Sequence, residues 1–392
     1  MPVILSQRDY LVVGAGFSGA VLARELAGQL DGRVTVLESR PHVAGNCHTA
    51  RDPATGILLH EYGPHIFNTN RQHVWDYVNR FGTLRPYTNR VKASTSRGIF
   101  SFPINLHTIN QFFGKRLDPD GARAFLASLG DKRIGEPRNF EEQALKLVGR
   151  ELYETFFHGY TRKQWGCEPR ELPASILQRL PIRFNYDDNY YKTSLQGVPE
   201  HGYTPIVERI LDHPRITVRL GESFTREMGR DYAHTFYSGP LDAFFDYELG
   251  RLGYRTVTFE RIAYNGADYQ GNAVINYPEL EPAYTRIHEH KHFAPWEQHA
   301  ATVAFREFSR ETGPDDVPYY PKRLAADRER LLAYRRAAAK VPGVTLFGRL
   351  GTYRYLDMEA VIDEALALAA AFVASRRSGA EPSRFPNEEG PA

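Results

Sequence analysis

The chain is poor in cysteine and has no long apolar run. Its 392 residues include only two cysteines, Cys47 and Cys167, too few for a disulfide framework or a cysteine-rich metal site and typical of a reducing compartment. No apolar stretch approaches the roughly 20 residues that a membrane-spanning helix needs, and the first predicted strand leaves no room for a secretory signal before it. We therefore expect a soluble, cytoplasmic protein without a membrane partner.

The chain also has no large excess of positive or negative charge, since its formal net charge is only +2. Such a balance is not typical of nucleic-acid binding, so we expect no nucleic-acid partner. Aromatic residues, in contrast, are abundant, with 23 Tyr and 23 Phe. Most of them must lie in the core, but aromatic side chains also suit pockets for planar ligands.

The most informative stretch follows the apolar run 10–13 and reads Gly14-Ala15-Gly16-Phe17-Ser18-Gly19. An amphipathic segment and a second apolar strand come next, which is the order of a βαβ unit. Its glycines allow a tight turn and let a pyrophosphate approach the helix N-terminus. Glu38 ends the second strand, where a carboxylate can bind the hydroxyls of an adenosine ribose. Rather than a chance glycine-rich turn, we predict a dinucleotide site that contains Gly14, Gly16, Phe17, Ser18, Gly19 and Glu38.

This half-site does not separate NAD from FAD, but the continuation does. Residues 39–46 place a second loop of small residues beside the diphosphate, which favours FAD, with contacts from Arg40, Gly45 and Asn46. Further along, Gly63-Pro64 fixes His65 on a turn, where it either lies against the isoalloxazine ring or bonds to its own backbone. The glycine-rich loop 348–358, before a predicted helix, indicates a second anion site or flavin-edge site.

A possible substrate pocket begins where a long helical pattern runs into residues 156–166, a segment of aromatic, basic and glycine residues. The segment is either an ordinary core corner or a pocket in which a planar base stacks on Tyr160 or Trp165. Arg179, in an otherwise apolar segment, is either a surface residue or an anion ligand. With Arg286 it would provide the two cations needed to clamp a diphosphate.

The strand predicted over 284–292 places several cationic or titratable side chains on one face. They are Tyr284, Arg286, His288, His290 and His292. The histidines could bind a metal, but no carboxylate or cysteine at a recognisable spacing completes a site. We therefore predict no metal.

The order of helical and strand patterns predicts an α/β, multidomain fold. Its parts are a discontinuous Rossmann-like FAD-binding domain (1–84, 196–246 and 332–375), an inserted helical domain (103–180), an antiparallel β-sheet domain (85–102, 181–195 and 247–331) and a disordered tail (376–392).

Together these stretches closely resemble the bacterial UDP-galactopyranose mutases, over nearly all of residues 8–374. The matching motifs are 14–19, Glu38, 62–67, 103–106, 156–166, the two arginines, 319–321 and 348–358. The resemblance implies a homodimeric flavoenzyme that interconverts UDP-galactopyranose and UDP-galactofuranose, the precursor of cell-surface galactofuranose. It also implies covalent catalysis, in which N5 of reduced FAD attacks the anomeric carbon, UDP leaves, and an open-chain iminium recloses through the other hydroxyl.

The same resemblance implies individual residue roles. It makes Arg179, Arg286 and His65 catalytic, and it adds Arg349, Tyr355, Asp357 and Met358 to the cofactor site. The implied substrate-binding residues are Asn89, Phe156, Phe157, Tyr160, Thr161, Trp165, Arg179, Tyr190, Arg286, Tyr320 and Tyr355.

Two positions depart from the family pattern. Asn68 stands where a histidine is usual, which removes a titratable group near the flavin. Ala44 stands where glycine is usual, which we expect to be tolerated if the backbone φ there is negative.

Two other functions share parts of this pattern. A flavin amine-oxidase-like oxidoreductase has the same cofactor half, but it would need an apolar cavity in place of the arginines. A non-catalytic escort of the Rab GDP-dissociation-inhibitor type would have a similar fold without flavin.

Overall fold

The computed structural model describes residues 9–179, 182–382 and 384–385, so the predicted segments at 1–8, 180–181, 383 and 386–392 lie outside it. The strands, numbered β1 to β17 in chain order, are Tyr10–Val13, Val34–Glu38, Thr49–Arg51, Leu58–His60, Phe67–Thr69, Leu84–Pro86, Val91–Thr95, Gly98–Phe102, Leu195–Pro199, Ile216–Leu220, His234–Tyr237, Tyr254–Arg261, Val274–Asn276, Arg286–Glu289, Ala304–Glu311, Tyr320–Pro321 and Val344–Leu346.

The α-helices, numbered α1 to α10, are Phe17–Gln29, Gln72–Asn79, Leu106–Phe113, Pro119–Leu129, Phe140–Tyr153, Gly159–Trp165, Tyr203–Leu211, Ala325–Ala338, Gly348–Gly351 and Met358–Ser378. Shorter helical turns occur at Gly45–Cys47, Glu154–His158, Pro169–Glu171, Ala174–Arg179, Met228–Asp231, Ala243–Phe245 and His290–Phe293. Among the described residues, no helix is both long enough and apolar enough to cross a membrane.

The first sheet is parallel throughout, with strand order β10-β2-β1-β11-β17. Its inner strands β1, β2 and β11 are buried almost throughout, as expected for a parallel sheet with helices on both faces, while the edge strand β10 is partly exposed. Along β1, Tyr10 and Val12 pack with α1, α7 and α10, whereas Leu11 and Val13 pack with α8 on the other face. This arrangement confirms the predicted α/β fold with a Rossmann-like unit, to which later segments of the chain return as β10, β11 and β17.

Helices α3 to α6 pack with the inner face of β8 around a second core. Asn105 caps α3 by accepting a hydrogen bond from the Thr108 backbone N–H at 3.0 Å. Helix α5 bends at Gly149, whose φ is +75°, and then passes through the π-helical turn Glu154–His158 into α6. A π turn shifts the helical register, so α6 presents a different face to its surroundings than α5 would if it continued straight.

The largest sheet has the order β16-β12-β15-β14-β13-β7-β8. Its pairs are antiparallel as expected, except that β13 and β7 run parallel. The predicted strand 284–292 ends at Glu289, because the chain turns there into the short helix His290–Phe293. His290 and His292 therefore do not share a strand face with Arg286, and that part of the prediction is wrong.

The predicted disordered tail also needs correction. Helix α10 continues to Ser378, with two arginines in its last turn, where cations complement the helix dipole. Beyond it, Phe385 is only 8% exposed and packs in the core beside α8, and the carbonyl of Arg384 accepts a hydrogen bond from Leu346 at 3.0 Å. Residues 376–378 and 384–385 are thus ordered by local packing. The division into three domains stays a prediction.

Candidate active site

A cavity of about 710 Å³ opens at the carboxyl ends of β1, β2 and β11, the edge where α/β sheets bind ligands. It is lined by most of the predicted cofactor residues, namely Gly14, Gly16, Phe17, Ser18, Glu38, Arg40, Gly45, Asn46, His65, Arg349 and Met358. Gly19, Tyr355 and Asp357 do not line it. Gly19 packs beneath the loop, and Asp357 occupies the N-cap position of α10 without a side-chain capping bond.

The glycines leave bare backbone around this cavity. Gly14 has φ +103°, and a Cβ there would lie 2.3 Å from the Ser238 Oγ. Gly16 and Gly45 face each other, since a Cβ on Gly45 would lie 3.3 Å from the Gly16 Cα. Two loops thus approach closely beside the N-terminus of α1, which leaves room for a pyrophosphate against the backbone.

The polar groups of the cavity also fit an anionic dinucleotide. Arg40 donates from Nη2 to the Asn46 Oδ1 at 2.7 Å, while its Nη1 has no hydrogen-bond partner among the described residues. A buried guanidinium donor without a partner is costly unless an acceptor such as a phosphate oxygen completes it. The residues present therefore fit a bound FAD, although the assignment of each contact stays a prediction.

Glu38 joins the two loops at the ribose end. Its Oε2 accepts a hydrogen bond from the Ala15 backbone N–H at 2.9 Å, and its Oε1 accepts one from the Arg40 backbone N–H at 3.0 Å. These bonds orient the carboxylate. Each of its oxygens can still accept a further hydrogen bond, for example from a ribose hydroxyl.

Ala44 lies in the left-handed region, with φ +73° and ψ −2°. The negative φ at which alanine was expected to be tolerated is therefore not found. Its backbone N–H donates to the Ala15 carbonyl at 2.9 Å, and this bond holds the loop in place. The conformation costs a residue with a Cβ about 1–2 kcal/mol.

Replacing Ala44 by glycine is accordingly expected to stabilise the folded protein by about 0.5–1 kcal/mol, after subtraction of the entropy that glycine adds to the unfolded chain. Urea unfolding of the cofactor-loaded protein measures the difference. A loss of stability in Ala44→Gly would show that the alanine methyl contributes packing worth more than the strain.

His65 is held on its turn by its own neighbours. Its Nδ1 lies 2.7 Å from the Gly63 carbonyl, to which it donates, so Nε2 is left as an acceptor. Burial, and then the charge of Arg349, lower the pKa of His65 to about 4. At neutral pH the imidazole is therefore uncharged, which suits a hydrogen-bond acceptor beside the cofactor better than a cationic role.

Arg286 is fixed by a buried carboxylate on the adjacent strand. Its Nε donates to the Glu307 Oε2 at 2.8 Å, and its Nη2 lies 2.8 Å from Oε1. Glu307 is only 1% exposed, so the two-point contact orients the guanidinium firmly. The side chain of Arg179 lies outside the described part of the structure, so the predicted arginine pair stays a prediction.

Aromatic residues surround Arg286. Burial raises the pKa of Tyr160, while the nearby charge of Arg286 opposes that rise. Tyr320 and Tyr355 stack with ring centroids 5.5 Å apart and an angle of 13°, and Arg349 lies 5.5 and 5.2 Å from those two centroids. Arg349 thus contacts the tyrosine stack and also lines the dinucleotide cavity, so it joins the two halves of the site.

Other predicted pocket residues belong to the helical core. Phe156 lies 5.5 Å from Phe100, and Phe157 lies 6.3 Å from Phe102, between ring centroids. Both are buried and present almost no surface to a ligand, as in an ordinary core corner. Thr161 is buried, and Trp165 is half-buried against the same core as the two phenylalanines. Their contact with a base stays a prediction.

The sequence reasoning missed a polar residue on the strand next to Arg286. Asn276 on β13 is the register partner of Arg286, and its buried Oδ1 has no partner among the described residues. Asn89, which was predicted, has the same feature, and its carbonyl accepts a hydrogen bond from the Tyr190 backbone N–H at 2.8 Å. Asn68, in contrast, is satisfied locally by Ile66 and Thr193.

The far wall of the cavity was also missed. It consists of residues from three loops, namely Glu222–Phe224, Ser238–Pro240 and, apart from Asp315, Thr312–Pro318, together with Tyr247 and Arg251. Of these loops, only 238–240 could have been predicted from the sequence to line the cavity, because it directly follows the carboxyl end of a strand of the parallel sheet.

The described residues contain one group with metal-ligand spacing that we had not predicted. Ligand atoms of Asp268, Glu289 and His292 lie within 4.8 Å of one another. However, the Lys291 ammonium lies 3.1 Å from Asp268, and the Glu289 carboxylate accepts backbone N–H bonds from Tyr269 and Gln270. The carboxylates are thus already neutralised and hydrogen-bonded, so we interpret the group as an ion-pair cluster.

The chain matches two family models and is similar along most of its length to individual sugar-nucleotide mutases. A family model described as UDP-galactopyranose mutase matches residues 155–355, and one described as an NAD(P)-binding Rossmann-like domain matches residues 12–81. The chain is 53% identical over 371 residues to a probable UDP-galactopyranose mutase of Klebsiella pneumoniae, covering 95% of this chain and 96% of that protein. It is also 48% identical over 373 residues to a dTDP-fucopyranose mutase of Escherichia coli, covering 94% and 99%.

Solved structures show how widely the fold is shared. The crystal structure of a reduced UDP-galactopyranose mutase aligns with a TM-score of 0.70 at 15% identity, covering 95% of this chain and 96% of that one. A redesigned putrescine oxidase aligns with a TM-score of 0.55 at 12% identity, covering 94% and 99%. At such identities the structural likeness shows the fold alone.

Proposed function

Because the chain belongs to the UDP-galactopyranose mutase family, we propose that it is an isomerase that interconverts UDP-galactopyranose and UDP-galactofuranose and depends on reduced FAD. We extend the proposal to a cytoplasmic homodimer that supplies galactofuranose for the cell surface.

The observation that carries this proposal is the placement of Arg286. Its guanidinium, held by Glu307, lies among the phenols of Tyr160 and Tyr320, and Arg349 connects this cluster to the dinucleotide cavity. An oriented cation among hydroxyl groups fits a diphosphate. An amine oxidase would instead need an apolar cavity at this place.

The chain's own residues bind, orient and stabilise. When bound in its reduced form, FAD would supply the nucleophile N5 for the anomeric carbon. The glycine loops and Arg40 would hold its pyrophosphate, and Glu38 its ribose. Arg286 keeps its orientation before and after the sugar bond breaks, so it stabilises the negative charge that develops on the departing UDP without reorganising.

His65 has a complementary role in this proposal. Because its imidazole is neutral and its Nδ1–H is already donated to Gly63, its Nε2 can accept a proton or hydrogen bond from a sugar hydroxyl. Because the isomerisation consumes no net proton, a proton that His65 accepts must be returned within the same turnover.

A second candidate substrate is dTDP-fucopyranose, favoured by the 48% identity to the mutase of that name. It differs from UDP-galactopyranose by a methyl group on the base, by the missing 2′-hydroxyl of the nucleoside sugar and by the missing 6-hydroxyl of the transferred sugar. Side-by-side kinetics on the reduced enzyme distinguish the two candidates. We expect kcat/KM to favour UDP-galactopyranose by about tenfold or more, the discrimination that small-group differences typically give. A preference for dTDP-fucopyranose would replace the first assignment by the second.

A further inference from the structure

Helix α6 packs directly against the turn that joins β13 to β14. At Gly159, the first residue of α6, a Cβ would lie 2.6 Å from the Pro278 carbonyl oxygen and 2.8 Å from the carbonyl carbon of Glu279. Both are backbone atoms, so no side-chain rotation could move them out of the way. The helix and the turn therefore touch backbone to backbone, with glycine as the residue that permits it.

One turn further along α6, Lys163 lies on the same face as Gly159. Its Nζ donates to three backbone carbonyls of the β13–β14 connection, those of Tyr277 at 2.7 Å, Pro282 at 2.8 Å and Tyr284 at 2.8 Å. An ammonium has three N–H donors, so all of them are used on a single turn of backbone. Lys163 thus fastens the turn to the helix.

The far end of α6 is fastened as well. The buried guanidinium of Arg255 donates from Nη2 to the Lys163 carbonyl at 3.1 Å and from Nε to the Gln164 carbonyl at 3.0 Å. The Ser309 hydroxyl donates to the same Gln164 carbonyl at 2.7 Å. The backbone of the helix is therefore fixed to β12 and β15, and Lys163 is the link from that fixed helix to the turn.

The linked elements carry the two halves of the proposed nucleotide site. Helix α6 bears Tyr160 and Trp165, the predicted base contacts, while β13 and β14 bear Asn276 and Arg286. The separation of the base contacts from the diphosphate contact therefore depends on how the turn sits against the helix.

Resting on the function proposed above, we propose that Lys163 is a positioning residue that sets the spacing between the base subsite and the diphosphate subsite, and so sets the affinity for UDP. Since all three of its N–H donors are used on the backbone of residues 277–284, it acts through that backbone. Its loss should raise KM and weaken UDP binding, while kcat at saturation stays within about threefold of wild type, because the chemistry is not altered.

The ionisation of Lys163 adds a second readout. Burial lowers the pKa of Lys163 to about 8, against the opposing charges of Glu281 and Glu279. Two of the carbonyls that it bonds belong to tyrosines, Tyr277 and Tyr284, and Arg306 lies 5.7 Å from the Tyr284 ring centroid. From β12, Arg255 bonds the Lys163 carbonyl. Burial raises the pKa of Tyr277 to about 12, so its phenol stays protonated where the lysine titrates. As pH rises through about 8, the amine loses one of its three donors, and UDP affinity should fall.

The test is UDP binding by calorimetry to the flavin-loaded protein between about pH 7 and about pH 9, which brackets that pKa. At the lower pH, Lys163→Met should bind UDP about tenfold more weakly than wild type, with no dependence on pH. Lys163→Arg should keep affinity near wild type but also lose the pH dependence, because a guanidinium supplies the donors and does not titrate there. Flavin content and thermal melting accompany each variant.

Lys146→Met is the matched control, since Lys146 also donates to backbone, but only to the Gly135 carbonyl and from the exposed face of α5. It should leave UDP affinity unchanged. Wild-type affinity in Lys163→Met, or a retained pH dependence in Lys163→Arg, would overturn the inference. If Lys163→Met does not fold, the arginine variant alone decides it. Failure of the wild-type protein to bind UDP at all would instead overturn the proposed function.

Discussion

Replacing Arg286 by methionine is expected to lower kcat/KM for UDP-galactopyranose by about 30- to 1000-fold, the effect of losing about 2–4 kcal/mol of transition-state stabilisation. The guanidinium is the one charge of the site whose orientation is fixed by a second buried charge, that of Glu307, in the part of the chain that the structure describes. Methionine keeps most of the side-chain volume and removes only the charge and the donors.

The same change leaves the Glu307 carboxylate buried without its ion-pair partner, which is expected to cost about 3–5 kcal/mol of stability. The double variant Arg286→Met/Glu307→Gln separates the two effects. It should recover most of the stability in urea unfolding and none of the activity, with flavin content intact in both variants. Activity near wild type in the double variant would show that the diphosphate is bound elsewhere.

Replacing Gly19 by alanine is expected to destabilise the protein by about 3 kcal/mol or more and to empty the cofactor site. A Cβ on Gly19 would lie 1.8 Å from the Gly14 carbonyl oxygen, a contact that no rotation relieves. Helix α1 would have to move away from the loop that holds the pyrophosphate. Urea unfolding and the ratio of flavin to protein absorbance measure the two consequences.

Gly28 provides the control in the same helix. A Cβ on Gly28 meets nothing within 4 Å. Gly28→Ala should therefore stabilise the protein by about 0.5–1 kcal/mol, the helix propensity difference, and leave flavin content unchanged. Full flavin occupancy and wild-type stability in Gly19→Ala would contradict the close packing of the loop on the helix.

Contiguous motifs were predictable because their physics is local. The loop 14–19 needs only a strand, glycines and a helix in order, and it was placed correctly from sequence. The cap at Asn105 follows from the same kind of local rule. The identity of the residue that orients Arg286 could not be predicted, since Glu307 comes from the next strand and strand register depends on the folded sheet.

The other features that could not be predicted from the sequence concern the conformation of the backbone. The left-handed φ of Ala44 reflects where its loop must bond to Ala15, which the alanine itself does not signal. Strand alternation was extended too far at His290 and His292 because periodicity continues in the sequence after the strand has ended. The prediction of disorder was wrong at residues 376–378 and 384–385, because composition outweighed Phe385, the one large apolar residue there, whose side chain packs in the core.

The most direct test of whether this protein is an isomerase is to incubate the dithionite-reduced holoenzyme with UDP-galactopyranose. Anion-exchange chromatography with mass spectrometry separates the products. We predict many turnovers per bound flavin to UDP-galactofuranose, a product of unchanged mass, and almost none with oxidised enzyme. Unconverted substrate, or a product lighter by two hydrogens and formed in proportion to an electron acceptor, would contradict an isomerase and indicate an oxidoreductase.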